Sequence, residues 1–350
     1  MPDHSMDLAP TTARLIDANL NRAREGIRVL EELARLALDD PALAESAKRL
    51  RHELRAAFDT PSLRRAIRCR DIEGDVGTTL ETQAEYSRRD LGDVATAAAK
   101  RVGESLRVLE ECAKTVDPVV ARAVERLRYH SYELERKLTI TLDARARFGD
   151  MRLYVIITES DCRHDWYDTA VAAIDGGADC IQLREKALPD GVLLERGRQL
   201  HELCAPRNVL LVINDRPDVA RLIRADGVHL GQDDMSVVEA RRIGAPGTSV
   251  GLSTHNQQQI DAAIQARPDY IAIGPMFPTA IKPQSTPLGP EIVRQTMAKT
   301  GLPIVPIGGI DREGAERLAE VGARCVCVCR AVIASKDPAA AAASIRKLLS

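Results

Sequence analysis

The residues able to do chemistry fall in short clusters along the second half of the chain. Gln182, Leu183, Arg184, Glu185 and Lys186 form the first, and Asn214 with Asp215 the second. His229 to Asp234, then Ser253, Thr254 and His255, then Gly274 to Thr279 followed by Lys282, come next. Gly308-Gly309-Ile310 and Arg330 close the series. Arg184, Lys186 and Lys282 are cations suited to phosphate oxygens. Asp215 and Asp234 suit Mg²⁺, a hard cation that uses one or two carboxylates together with phosphate oxygens. One such ion and these cations would neutralise the charge building on a departing diphosphate. Gly308-Gly309 permits close backbone approach, and a helix starting near Asp311 offers its N-terminus to a phosphate. The expected site therefore takes two phosphorylated ligands, one of them a diphosphate. The competing role for Asp215 and Asp234 is helix capping, since both precede helical stretches. His229 reads as structural, bonding a loop, and His255 as a candidate substrate contact; an ionisation mechanism needs neither.

Each cluster follows a short apolar run, and those runs must position it. Strands are expected at Leu153–Ile157, Cys180–Leu183, Val209–Ile213, Gly227–Leu230, Ser249–Leu252, Tyr270–Ile273, Ile304–Ile307 and Cys325–Val328, each followed by a helical stretch. Runs apolar on both faces are typical of buried parallel strands. Eight strand–helix units in about 200 residues predict an α/β chain ending in a (β/α)₈ barrel, whose chemistry sits at the C-terminal ends of its strands. A doubly wound sheet is the rival, but no GxGxxG follows the first run. Cys325, Cys327 and Cys329 alternate, which places them on one strand face as reduced core residues.

QLREK (Gln182–Lys186), ND, VHLGQDD, GLSTH, GPMFPT with its later Lys282, and IGGI, in this order, resemble the thiamine-phosphate synthase family over about Met151–Ser350. The resemblance implies a transferase that joins 4-amino-2-methyl-5-hydroxymethylpyrimidine diphosphate to a thiazole phosphate, or its carboxylated form. Thiamine phosphate and pyrophosphate are the implied products. The diphosphate ionises first and the thiazole nitrogen attacks the resulting pyrimidine methyl cation. Position by position, it places Gln182, Leu183, Arg184, Glu185 and Lys186, with Asn214, Ser253 and Lys282, at the pyrimidine diphosphate. Asp215 and Asp234 become the magnesium ligands, and Thr279 and Gly309 contacts to the thiazole phosphate. Two departures stand out. Ile281 replaces a threonine of the usual TxTK, and Arg330 stands where a serine is common; a charge-assisted bond from Arg330 to the thiazole phosphate is the expected compensation. A related thiazole tautomerase on the same barrel is the alternative, and it would not need the aspartates or the diphosphate cations. A ligand-binding barrel without catalysis is a further one.

The first half, residues 1–142, reads as helical with an internal duplication, and 143–150 as a linker to the barrel at 151–350. NRAREGIRVLEELAR (Asn21–Arg35) matches KRVGESLRVLEECAK (Lys100–Lys114) at eight of fifteen positions. Lys48–Leu54 resembles Glu125–Leu134, and turns are expected at Asp40-Pro41 and Asp117-Pro118. Ala23, Ile27, Leu30 and Ala34 share one apolar face. Glu25, Arg28 and Glu32, and their counterparts Glu104, Arg107 and Glu111, form either a solvated ion-paired face or an anion pocket about a pseudo-twofold. The glycine- and threonine-containing stretch Arg68–Thr82 is either a phosphate-cradling loop or a plain one; it lacks the Walker A pattern. Asp17–Glu32 and Asp71–Thr78 resemble the helical domain fused to some synthases of this family. That implies phosphorylation of the pyrimidine monophosphate with ATP; a dimerisation or scaffolding module is the rival.

The balance of 49 basic against 51 acidic residues gives no basic field for nucleic acid. No apolar run reaches membrane-spanning length, and the N-terminus shows no secretory pattern, so a cytoplasmic enzyme of small-molecule substrates is expected. Eight cysteines without a CxxC pair argue against zinc-ribbon and thioredoxin readings. A homo-oligomer is compatible with the sequence.

Overall fold

The computed structural model describes residues 9–59, 69–70, 87–279 and 286–349. The stretch 71–82 and Ile281 and Lys282 therefore lie outside the described residues. The chain divides into two units, Met1–Asp143 and Ala144–Ser350.

In the first unit α1 (Pro10–Glu32) continues into a wider π turn at Leu33–Ala37 and is followed by α2 (Pro41–Ala57), α3 (Leu91–Lys114) and the part of α4 (Pro118–Asp150) that ends at Asp143; its last residues belong to the second unit. The two Asp-Pro pairs start helices as expected. Asp40 accepts hydrogen bonds from the N–H groups of Ala42 and Leu43, and Asp117 from that of Val119, while proline occupies the first helical position. Ala23, Ile27, Leu30 and Ala34 are fully buried, so the apolar face read from the spacing is the core face. α1 and α3, the duplicated helices, approach closely at Gly26, where a Cβ would stand 2.7 Å from Val102 Cγ2. Arg28 pairs with Glu32, and Arg107 with Glu111 at 3.0 Å, which is the ion-paired face rather than a free anion pocket.

The duplication also carries a polar core that spacing did not show. Arg51 Nε donates to Glu31 at 2.8 Å, and Arg128 Nε donates to Glu110 at the same distance. Glu31 and Glu110 are 79 positions apart, the same offset as the repeat. Burial alone would push the Glu110 carboxyl up, but bonds from Arg128 and Lys114 leave it below its ordinary value.

The second unit is an eight-stranded parallel sheet: β1 (Leu153–Ile157), β2 (Cys180–Leu183), β3 (Leu210–Asn214), β4 (Gly227–Leu230), β5 (Ser249–Thr254), β6 (Tyr270–Ile273), β7 (Ile304–Pro306) and β8 (Val326–Val328). The order is β7-β6-β5-β4-β3-β2-β1-β8, and an Ile307–Cys327 bridge spans the remaining seam, giving the barrel. The helices include α5 (Trp166–Asp175) after β1, α6 (Asp190–Cys204) after β2, α7 (Pro217–Ile223) after β3, α8 (Val237–Ile243) after β4, α9 (Gln257–Ala266) after β5, α10 (Glu291–Met297) after β6 and α11 (Arg312–Glu320) after β7. After β8 come α12 (Arg330–Ile333) and α13 (Pro338–Arg346).

Strand alternation sorts the residues into two cores. Val155, Ile181, Ile213, Val228, Ile271 and Val326 face the helices, while Tyr154, Cys180, Val212, Tyr270, Cys325 and Cys327 fill the barrel interior. The cysteines are free, as the reduced-core reading requires. Residues 143–150, expected as a linker, continue α4 as helix. Within the barrel unit Phe148 stacks on Tyr270 at 5.5 Å, and Arg147 reaches Asp226 at 2.6 Å. Both anchor that helical end to the N-terminal side of the barrel. Among the described residues no helix is long and apolar enough to cross a membrane.

Candidate active site

Of the expected site residues, Lys186, Asp215 and Asp234 meet at the C-terminal rim, where β2, β3 and β4 end. Parallel register places Gln182 beside Val212, Asn214 beside His229 and Ser253 beside Ala272. Where the chain leaves β2, Arg184 donates its N–H to the Ile157 carbonyl, and its own carbonyl accepts from Thr158 Oγ1, both at 2.9 Å. That fixes the turn from which Arg184 and Lys186 project. Lys186 Nζ lies 3.4 Å from Asp215 Oδ2.

Asp215 and Asp234 are close enough to share a hydrogen bond, and neither caps a helix. Arg216 occupies the cap of α7 without a side-chain bond, and Ser236 with Glu239 forms the capping box of α8. Asp234 Oδ2 instead accepts from the Gly231 N–H at 2.6 Å. Asp215 holds a left-handed backbone with φ of 63° and donates its N–H to the His229 carbonyl. Burial pushes its carboxyl up, the adjoining Asp234 pushes the same way, and Lys186 opposes both. A half-buried carboxylate, Asp215, in contact with the exposed carboxylate of Asp234 is electrostatically unfavourable unless a proton or a cation lies between them. A hard divalent cation that also takes phosphate oxygens fits this donor pair. The described residues contain no group of three or more His, Cys, Asp or Glu side chains suited to a metal, so phosphate and water would complete the shell.

Not every residue of the first cluster faces the rim. Leu183 is 1% exposed and packs among the helices, which leaves only its backbone for a ligand. The Glu185 carboxylate accepts from the Glu159 N–H at 2.7 Å and lies 3.6 Å from Arg196, whose guanidinium sits 4.9 Å over the Trp166 ring. Glu185 thus braces the β1 and β2 turns. Gln182 is buried inside the barrel and donates through Nε2 to the Tyr154 hydroxyl at 2.5 Å.

On the other side of the rim, Gly308 and Gly309 have φ of 94° and 68°. A Cβ on Gly309 would stand 2.5 Å from the Pro278 carbonyl oxygen and 2.6 Å from that of Phe277. The Phe277 N–H donates to the Gly308 carbonyl, so the β7 turn and the segment leading to Thr279 lie against each other. Asp311 caps α11 by accepting from the Gly314 N–H at 2.9 Å. Arg330 opens α12 directly after β8, next to the β7 turn around the barrel.

His229 is structural, as expected, though its partners differ from the expected ones. His229 bonds no loop through its ring. Its Nδ1 is 3.0 Å from the Tyr270 hydroxyl and its Nε2 is 2.8 Å from Ser253 Oγ. Burial holds its pKa down at about 4, so the ring is neutral near pH 7. His255 Nδ1 lies 2.7 Å from the Gly274 carbonyl. Tyr154 and Tyr270, which spacing did not single out, complete an interior network at 3.1 Å from each other. Their only signal was an inward position on strands of a chain with just six tyrosines.

The chain is similar to known proteins along nearly its whole length. A family model described as thiamine monophosphate synthase matches residues 153–332, and one for the ThiD2 family matches residues 14–137. The thiamine-phosphate synthase of Nostoc punctiforme is 38% identical over 325 residues, covering 93% of this chain and 90% of that protein. That of Synechocystis sp. is 38% identical over 343 residues, covering 98% of each. Among solved structures, the thiamine phosphate pyrophosphorylase of Pyrococcus furiosus superposes with a TM-score of 0.54 at 31% identity, covering 58% of this chain and 96% of that one. The chain belongs to the thiamine-phosphate synthase family, a family of transferases, and carries a ThiD2-family region ahead of its barrel.

Proposed function

We propose that the rim residues named above carry out the coupling of the aminopyrimidine diphosphate to the thiazole phosphate, with release of pyrophosphate. The observation that supports this most is the Lys186–Asp215–Asp234 cluster, a cation beside two carboxylates whose own repulsion calls for a divalent ion. Arg184 and Lys186, joined by Lys282 from its place in the sequence, hold the diphosphate oxygens. They offset the negative charge that grows there as the C–O bond ionises. Asn214, Ser253 and Gln182 orient the pyrimidine diphosphate, Leu183 contributes backbone only, and Glu185 keeps the Arg184 turn in place. Thr279, the Gly309 backbone and Arg330 hold the thiazole phosphate so that its ring nitrogen faces the methyl cation. Mg²⁺ on Asp215 and Asp234 would act as a Lewis acid toward the leaving pyrophosphate. The test is pyrophosphate release that requires both substrates and Mg²⁺; release from the diphosphate alone at the same rate would refute coupling.

For the helical unit we propose ATP-dependent phosphorylation of the pyrimidine monophosphate, supported by the ThiD2-family match over residues 14–137. Its product would be the barrel's substrate. Conversion of monophosphate to diphosphate by the whole chain only when ATP is present is the expected result; no conversion leaves a structural module. We place the protein in the cytoplasm, consistent with eight free cysteines.

A further inference from the structure

We infer that Tyr154, Tyr270 and His229 form a directional hydrogen-bond relay that couples Gln182 to Ser253 and thereby selects a pyrimidine bearing an amino group over one bearing a carbonyl. The inference rests on the proposed placement of Gln182 and Ser253 at the pyrimidine diphosphate.

The links run without a gap. Gln182 Nε2 is 2.5 Å from the Tyr154 hydroxyl, which is 3.1 Å from the Tyr270 hydroxyl. That hydroxyl is 3.0 Å from His229 Nδ1, and His229 Nε2 is 2.8 Å from Ser253 Oγ. Tyr154 and Tyr270 are at most 1% exposed, and Gln182 and His229 are also buried, so water does not substitute for a missing link. Phe148 and His229 each stack against the Tyr270 ring, at 5.5 and 5.6 Å, and Gly251 leaves room for it, since a Cβ there would stand 2.0 Å from Tyr270 Cζ. The phenol cannot turn away.

Each phenol has one hydrogen to give, and a neutral imidazole has one N–H and one acceptor nitrogen. With the Gln182 NH₂ turned toward Tyr154, that phenol donates to Tyr270, and Tyr270 donates to Nδ1. The imidazole hydrogen then sits on Nε2 and is donated to Ser253 Oγ. The serine hydroxyl keeps its own hydrogen for an outside acceptor, and a diphosphate oxygen is one. At the other end Gln182 keeps its carbonyl Oε1 for an outside donor, and a ring amino group is one.

Rotating the Gln182 amide reverses every link. Ser253 then donates to Nε2 and meets the diphosphate with lone pairs only, while Gln182 presents N–H. The two ends therefore cannot be chosen separately. A diphosphate at Ser253 demands a donor there, and through Tyr270 and Tyr154 this turns the Gln182 carbonyl toward the pyrimidine. Tyr154, Tyr270 and His229 are positioning residues: they act through Gln182 and Ser253.

The test uses the full-length chain. First, ¹⁵N-histidine NMR with inorganic pyrophosphate and Mg²⁺ added reads the His229 tautomer, with the resonance assigned by its loss in His229→Asn. The expected result is a protonated Nε2 and an unprotonated Nδ1; a protonated Nδ1 overturns the relay. Second, kcat/KM is measured for the aminopyrimidine diphosphate and for the analogue with an oxo group in place of the amino group. Tyr270→Phe and Tyr154→Phe should each lower the amino-over-oxo preference about tenfold, because Gln182 is then free to rotate. An equal fall for both compounds, leaving the preference unchanged in both variants, overturns the relay and marks the tyrosines as structural. Should Tyr270→Phe not fold, Tyr154→Phe decides alone. If the wild-type chain forms no product from the diphosphate, the proposed function fails, and the tautomer by itself still decides the relay.

Discussion

Replacing Gly309 by alanine should cripple the thiazole-phosphate side of the site while sparing the pyrimidine side. Two costs add. A left-handed backbone disfavours any Cβ by about 1–2 kcal/mol, and Gly309 has φ of 68°. The new methyl also falls 2.5 and 2.6 Å from two backbone carbonyl oxygens, which are not ends of flexible side chains and must move with the chain. Gly289 separates the two costs: its φ is 74°, yet nothing lies within 4 Å of its ideal Cβ. Gly289→Ala therefore carries the backbone cost alone. The expected excess for Gly309→Ala is about 1–3 kcal/mol, the range for overpacking, part of it relieved by displacing Phe277–Thr279. That displacement should raise KM for the thiazole phosphate about tenfold or more, with KM for the pyrimidine diphosphate within about twofold. Steady-state kinetics with each substrate varied in turn reads the first effect. Urea unfolding followed by Trp166, the sole tryptophan and a barrel residue, reads the stability cost. If Gly309→Ala and Gly289→Ala behave alike in both assays, the close packing of the β7 turn on Phe277–Pro278 is not what shapes this site.

Three further outcomes are expected. Asp215→Asn should cut Mg²⁺-dependent turnover by roughly 100-fold and abolish Mg²⁺-induced thermal stabilisation; an unchanged Mg²⁺ response would remove Asp215 from the metal site. In the helical unit Glu110→Gln should cost about 3 kcal/mol, because it strands the buried Arg128. Glu31→Gln should cost less, since Arg51 is more exposed; circular dichroism during urea unfolding would contradict this by showing equal losses. His229 has a folded pKa of about 4, below its ordinary 6.5, so the unfolded chain takes up the proton first. Stability should be complete above about pH 6.5 and fall by about 1.4 kcal/mol per unit toward pH 4; Trp166-detected unfolding of wild type minus His229→Asn should show that slope, and a flat difference would contradict a neutral buried ring.

The barrel was legible because strand length and apolarity are local properties, and each strand end announced itself with polar residues. Cys180–Leu183, Gly227–Leu230 and Tyr270–Ile273 fall where their apolar runs predicted. Convergence of Lys186, Asp215 and Asp234 followed from barrel topology once the strands were placed. The interior network did not follow, because the Tyr154 and Tyr270 hydroxyls meet across 116 positions of sequence and only barrel closure brings them together. The Glu31–Arg51 and Glu110–Arg128 pairs were hidden for a related reason. All four residues lie in or beside the duplicated segments, but helix crossing, not spacing along one helix, chooses partners. Residues 143–150 read as a linker from their Arg-rich composition, whereas helix propensity and the anchoring of Arg147 and Phe148 carry α4 through them.

The most direct measurement is mass-spectrometric detection of thiamine phosphate from purified chain supplied with aminopyrimidine diphosphate, thiazole phosphate and Mg²⁺. It is run beside the Asp215→Ala, Asp234→Ala double variant. The account predicts thiamine phosphate and pyrophosphate in equal amounts from the wild type and almost none from the variant. Absence of product from the wild type, or equal product from the variant, would contradict it.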